Sequence, residues 1–135
     1  MRKKIILIED DRDACMLFSH VLQGAGYEVH CYYEGSVLLS ADCPHADVYI
    51  IDNCLPDIDG IALTKYLKVK DATARLPVII ISSNQALSKK TMNAGASAFI
   101  PKPFDAGLLL HVIHNVLYNP EYRYFHPEEM KIDKR

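Results

Sequence analysis

The stretch Ile5-Ile6-Leu7-Ile8-Glu9-Asp10-Asp11-Arg12-Asp13 decides how this chain folds. Four consecutive aliphatic residues show no alternation between apolar and polar positions. A strand built from them is covered on both faces, as strands of a parallel sheet are. The run breaks abruptly into three acids. Residues 13–23 then place Ala14, Leu17, Phe18, Val21 and Leu22 at helical spacing, and Gly24 can end that helix. A buried strand, an acidic turn and an amphipathic helix make one βα unit.

The same pattern recurs along the chain. Residues 27–32 alternate and read as a strand, and residues 36–41 as a short helix. Residues 48–51 form a second wholly apolar strand, followed by a helix over 60–69 with Asp59 as N-cap. Residues 78–81 repeat the apolar strand, and 87–93 the short helix, closed by Gly95. Residues 98–100 are a brief strand, and 105–117 a last helix with Asp105 as N-cap. Five βα repeats in this length imply an α/β protein. The architecture expected is a flavodoxin-like, doubly wound, five-stranded parallel sheet of order 2-1-3-4-5, with helices on both faces. Strand five is then an edge strand, consistent with Pro101 at its end.

Composition bounds the function. The 135 residues suit one domain, residues 1–118, with a polar and aromatic tail over 119–135 that is too short for a second domain. The net charge of −2 argues against direct nucleic-acid binding by this chain. No apolar run approaches the length that spans a bilayer, and the basic start Met1-Arg2-Lys3-Lys4 lacks the long apolar stretch of a signal peptide. A cytoplasmic protein without membrane contact is expected. Cys15, Cys31, Cys43 and Cys54 form no Cys-x-x-Cys pair or zinc-type cluster, and they read as free thiols. His111 and His114 lack a third ligand nearby and read as solvated side chains.

The chemistry gathers at the strand ends. In such sheets ligands bind outside the carboxyl ends of the strands. Strand one runs into Glu9-Asp10-Asp11, strand three into Asp52, strand four into Ser82-Ser83 and strand five into Lys102. Each residue has an ordinary alternative: the acids can cap a helix, Asp52 can be a turn residue, Ser82 a loop hydroxyl and Lys102 a solvated cation. Their joint placement at adjacent strand ends favours a site. Converging carboxylates repel by about 4 kcal/mol per close pair at an effective dielectric near 20. Lys102 offsets part of that, and Mg²⁺, which prefers hard oxygen ligands, is the natural remainder.

Four blocks of sequence resemble the signatures of response-regulator receiver domains, the phosphoacceptor domains of two-component signalling. They are Ile5-Ile6-Leu7-Ile8-Glu9-Asp10-Asp11, Asp52-Asn53-Cys54-Leu55-Pro56-Asp57-Ile58-Asp59-Gly60, Pro77-Val78-Ile79-Ile80-Ile81-Ser82-Ser83, and Gly95-Ala96-Ser97-Ala98-Phe99-Ile100-Pro101-Lys102-Pro103-Phe104. They occur in order, and the resemblance covers residues 3 to about 117. It implies that Asp52 is the phosphoacceptor and that Glu9 and Asp10 are the acidic pair, with Asp10 the more direct metal ligand. Cys54 matches the position that lends a backbone carbonyl to Mg²⁺. Ser82 and Lys102 match the hydroxyl and ammonium that hold the phosphoryl group, and a cis bond after the lysine is usual. Ser82 and Phe99 match the switch pair.

The resemblance further implies a phosphoacceptor rather than an enzyme, with at most slow self-dephosphorylation, the water path being flanked by Cys54 and Asn84. The donor would be a phosphohistidine on a sensor histidine kinase or a histidine phosphotransfer protein. The output would pass through the surface of segments 87–93, 98–100 and 105–117, as a homodimer or partner contact. Two features depart from the pattern: the stretch between Ser82 and Phe99 is short, implying a truncated or displaced fourth helix, and Pro101 precedes Lys102.

Rival readings are weaker. A phosphorylation-independent interaction module on the same fold typically lacks the aspartate or the lysine, and both are present. A phosphatase of the haloacid-dehalogenase kind wants a second aspartate where Cys54 stands. A dinucleotide-binding domain wants a glycine-rich first turn where Glu9-Asp10-Asp11 stands.

Overall fold

Alternate residues of each strand point to opposite faces of a sheet, and here both faces are apolar. The computed structural model describes residues 2–40, 43 and 45–125. It contains β1 (Lys4–Ile8), α1 (Arg12–Gly24), β2 (Glu28–Tyr32), a 3-10 helix (Gly35–Leu39), β3 (Val48–Asp52), α2 (Gly60–Val69), β4 (Val78–Ser82), a 3-10 turn (Gln85–Leu87), α3 (Ser88–Asn93), β5 (Ala98–Pro101) and α4 (Ala106–Tyr118). The five strands are parallel, in the order β2-β1-β3-β4-β5. This is the expected doubly wound sheet.

On one face Ile5, Leu7, Val48, Ile50, Ile79, Ile81 and Ile100 pack against Leu22 of α1 and Leu109, Val112 and Ile113 of α4. On the other, Ile6, Ile8, Tyr49, Ile51, Ile80 and Phe99 pack against Leu38, Leu63 and Leu67. A slip of one residue in any central strand would exchange the two faces, but the pleat alone would not resist it, because both are apolar. What pins the register is the polar strand end. Asp52 pairs beside Ile81 and Ser82 beside Pro101, so the polar residues leave the sheet together at one level.

Helix ends follow local chemistry. Asp11 accepts from the Asp13 and Ala14 amides at 2.9 and 3.2 Å and caps α1. Asp105 accepts from Leu108 N–H at 2.7 Å and caps α4, and Asp59 accepts from Ile61 N–H. The turn after α1 departs from expectation: Gly24 stays inside the helix, and Gly26, at φ +99°, takes the left-handed conformation that redirects the chain into β2. The segment expected as a short helix over 36–41 is a single 3-10 helix, because its leading amides from Gly35 and Ser36 are drawn to the Asp57 carboxylate at 3.0 and 2.8 Å. Ala41, at the end of that expected helix, lies outside the described residues. The fourth helical segment is short, as the spacing implied: α3 has six residues.

The fold brings two of the four cysteines together. Cys15 and Cys31, expected as free thiols, are brought into contact with each other, with Cα atoms 6.3 Å apart, a spacing that a disulfide can span. The inner face of α1 lies on β2, so residues 16 apart in sequence become neighbours. Spacing rules for metal and redox motifs do not see such a pair. Cys43 and Cys54 take no part in that pairing.

The tail does not leave the domain directly. The Tyr122 amide donates to Asn119 O at 3.0 Å, and the Arg123 guanidinium donates to the carbonyls of Pro120 and Tyr122. The chain then pairs Tyr124 beside Ala98 in parallel sense. The rest of the tail, residues 126–135, lies outside the described residues. Among the described residues no helix is long and apolar enough to cross a membrane.

The pairing predicts the thiol count. Alkylation of the denatured, unreduced protein labels two cysteines, Cys43 and Cys54, and prior reduction raises the number to four. Mass spectrometry reads the count, and four labels without reductant would show Cys15 and Cys31 unpaired in the isolated protein.

Candidate functional site

The carboxyl end of the sheet gathers the expected residues. Asp52 is the last residue of β3 and is 4 % exposed. Its Oδ1 accepts from Cys54 N–H at 3.0 Å, and its Oδ2 accepts from Lys102 Nζ at 2.9 Å. Lys102 also lies 3.6 Å from Glu9 Oε1. Glu9 follows β1 and is buried. Its amide donates to Tyr32 O at 2.9 Å, and its Oε2 accepts from Asp11 N–H at 3.1 Å. Asp10 is exposed beside it. One ligand atom from each of Glu9, Asp10 and Asp52 lies within 4.8 Å of the others, the grouping among the described residues suited to a metal ion.

The triple acid thus divides by role: Asp11 faces the helix as its cap, while Glu9 and Asp10 face Asp52. Ser82, the last residue of β4, is buried. Its Oγ accepts from Asn84 N–H at 3.0 Å, which leaves the hydroxyl hydrogen to donate elsewhere. Its carbonyl accepts from Lys102 N–H at 3.0 Å, tying β5 to β4. The Lys102–Pro103 bond is cis. Phe99, three residues before Lys102, is wholly buried in the core facing α2. Cys54 is exposed, and its amide rather than its thiol engages Asp52. His111 and His114 take no part; His114 lies against the Tyr118 ring at 4.9 Å.

Three supporting roles escaped the sequence reading. Asn53 Oδ1 accepts from Ile61 N–H at 3.2 Å, so the residue after Asp52 holds the start of α2. A Cβ at Gly60 would come within 2.9 Å of Asn53 Cα, so only glycine lets the helix approach this closely. Asp57 anchors the other side of the loop to the Gly35 and Ser36 amides. The spacing Asp-x-x-Gly around residues 57–60 was visible in the sequence, but its partners 21 and 22 residues upstream were not.

Electrostatics explain why this constellation wants a cation. Burial raises the Glu9 carboxyl, the Asp11 amide opposes this, Asp52 pushes it up further and Lys102 pulls it down; the result is a pKa of about 7. Burial draws the Lys102 ammonium down, yet the hydrogen bond and charge of Asp52, with those of Glu9, hold it above the ordinary lysine value. One ammonium therefore does not neutralise three carboxylates. Hard oxygens within 4.8 Å of one another, one of them carrying a carboxyl reluctant to ionise, fit a small divalent cation such as Mg²⁺.

Comparison with known proteins agrees with this geometry. A family model described as the response regulator receiver domain matches residues 5–114. This chain belongs to the response regulator receiver family. The chemotaxis protein CheY of Bacillus subtilis is 30% identical over 119 residues, covering 87% of this chain and 99% of that protein. The transcriptional regulatory protein GltR of Pseudomonas aeruginosa is 29% identical over 123 residues, covering 89% of this chain but 51% of that protein. The chain spans about half the length of such curated regulators. Among solved structures, the chemotaxis response regulator CheY4 of Vibrio cholerae superposes with a TM-score of 0.79 at 27% identity, covering 87% of this chain and all of that one. As a receiver domain, the protein takes its place in two-component signalling.

Glu9 sets a pH dependence for this receiver domain. Its carboxyl ionises near 4.5 when unfolded and near 7 when folded, so the folded form holds the proton more tightly. The associated stability is fully present below pH 4.5 and is lost as pH rises to about 7, a difference of at most about 3 kcal/mol. Glu9→Gln is therefore expected to flatten this part of the profile and to exceed the parent in stability at pH 8 in chelator. Urea midpoints at pH 5 and pH 8 measure it; parallel profiles for parent and variant would contradict it.

Metal binding gives a second expectation. Mg²⁺ should raise the melting temperature of the parent more than that of Asp10→Asn, while the variant melts higher than the parent in chelator because one repulsive charge is gone. Equal Mg²⁺ effects on both would show that Asp10 is not a ligand.

Proposed function

We propose that this receiver domain accepts a phosphoryl group on Asp52, from a phosphohistidine of a sensor histidine kinase or histidine phosphotransfer protein, with Mg²⁺ bound beside it. The observation that carries the reading is the state of the Asp52 carboxylate. It is buried at a strand end, with one oxygen held by the Cys54 amide and the other by the Lys102 ammonium, opposite Glu9 and Asp10.

The residues divide the work. An Asp52 oxygen attacks phosphorus while the phosphorus–nitrogen bond to the donor imidazole breaks, and the imidazole leaves with the bonding pair. Glu9, Asp10, Asp52 and the backbone carbonyl of Cys54 would hold Mg²⁺, which supplies charge neutralisation for the phosphoryl oxygens. The Lys102 ammonium, already 2.9 Å from Oδ2, balances charge on the transferring group. Ser82 donates its hydroxyl hydrogen to a phosphoryl oxygen. The acceptor role makes the chain a phosphoprotein switch with slow self-dephosphorylation, in place of a turnover enzyme. Output passes through the face formed by α3, β5 and α4, with Ser82 and Phe99 linking site to face, as a homodimer or a contact with a partner protein.

Incubation with a small acyl or amidophosphate donor and Mg²⁺ should add the mass of one phosphoryl group. Asp52→Asn should abolish the addition, and Lys102→Ala should slow it by at least tenfold, the loss of about 1.4 kcal/mol of transition-state stabilisation. Labelling that persists in Asp52→Asn would refute the assignment.

A further inference from the structure

The sheet was expected to end at β5, yet the outer edge of that strand is occupied. Tyr124 pairs with it through both backbone groups. The Phe99 amide donates to Tyr124 O at 2.7 Å, and the Tyr124 amide donates to Ser97 O at 3.1 Å. The side chains of Tyr122 and Tyr124 pack on the apolar cluster between the sheet and α4. An edge strand offers unpaired N–H and C=O groups to any extended segment, and here residues of the same chain satisfy two of them.

β5 is also the strand that reaches the site. It has four residues, about 13 Å of chain. At its far end Lys102 is held by its amide to Ser82 O and by its ammonium to Asp52. At its near end Phe99 is held by its amide to Tyr124. So short an element moves largely as a unit. A ligand on Asp52 that draws Lys102 and Ser82 into new contacts shifts the strand on which Tyr124 sits.

We propose that the outer edge of β5 is a docking site for an extended segment, that residues 122–124 fill it in cis, and that this docking is coupled to the state of Asp52. The inference rests on the phosphoacceptor reading above. The docked tail matches the arrangement in which Lys102 is paired with Asp52, so a phosphoryl group there weakens docking. Release frees Phe99 N–H and Ser97 C=O on the face that carries output. Coupling between two sites is reciprocal: weakening the tail tightens the binding of a phosphoryl mimic by the same factor.

The test uses beryllofluoride with Mg²⁺ as the mimic, and two variants. Tyr124→Pro removes one donor of the pairing in the full chain. A chain ending at Tyr118 removes the whole segment and guards against a local effect of proline. The expected result is faster exchange of the Phe99 and Tyr124 amides in the parent on adding the mimic, and mimic affinity raised about fivefold or more in both variants. Mimic binding with unchanged exchange at these amides and equal affinity in all three proteins would overturn the coupling while leaving the phosphoacceptor reading intact. Lack of mimic binding by any of them would overturn that reading and this inference with it.

Discussion

Lys102 stands between two buried carboxylates, 2.9 Å from Asp52 and 3.6 Å from Glu9, and the arrangement of the site depends on that one cation. Without it, Asp52 and Glu9, both buried, would face each other with little solvent to screen them. With it, one ammonium still faces three carboxylates, and burial, with Asp52 nearby, keeps the Glu9 carboxyl raised. The folded protein is therefore held ready for a further cation, and the site gains much of its electrostatic relief only when occupied.

The same lysine explains how chemistry and architecture meet. It extends from the end of β5, its amide is held by β4, and its ammonium reaches β3. Three adjacent strands are thereby cross-linked at their carboxyl ends. Parallel pairing makes this inevitable, since all strands leave the sheet on the same side and their first loop residues converge. At the amino ends of β1 and β2, Lys4, Glu28 and His30 form a surface ion cluster of a different kind. At the same end of the sheet the tail turns back onto β5, so the strand is constrained at one end by charge and at the other by backbone pairing with Tyr124.

Much of the fold was legible because apolar runs of four residues, helical periodicity and aspartate caps are local signals. The strands over Val48–Asp52 and Val78–Ser82 and the helix Gly60–Val69 declare themselves by runs of Val, Ile, Leu and by Asp59. The site was legible as well, because a parallel sheet converts sequence position at a strand end into spatial position. The missed features have one cause in common: each depends on a partner remote in sequence. The Cys15–Cys31 contact needs α1 to lie on β2, and the 3-10 geometry at Gly35–Leu39 needs Asp57 from the loop after β3; the aromatic residues of the tail fit it to pack back on the domain, as Tyr122 and Tyr124 do, but which strand edge it takes depends on the fold.

Read along the chain alone, the α/β class, the repeated βα unit and the identity of the acidic, hydroxyl and ammonium groups at the carboxyl end of the sheet are already set, because period, capping and turn chemistry act over a few residues. Only the tertiary structure decided how those groups divide. Asp11 turns to its helix while Glu9 and Asp10 turn to Asp52; Gly60 is required by the approach of Asn53; and Tyr124 closes the last strand. The physical reason is that distance and burial set the strength of charge pairing and the vacancy of a strand edge, and both are properties of the packed chain.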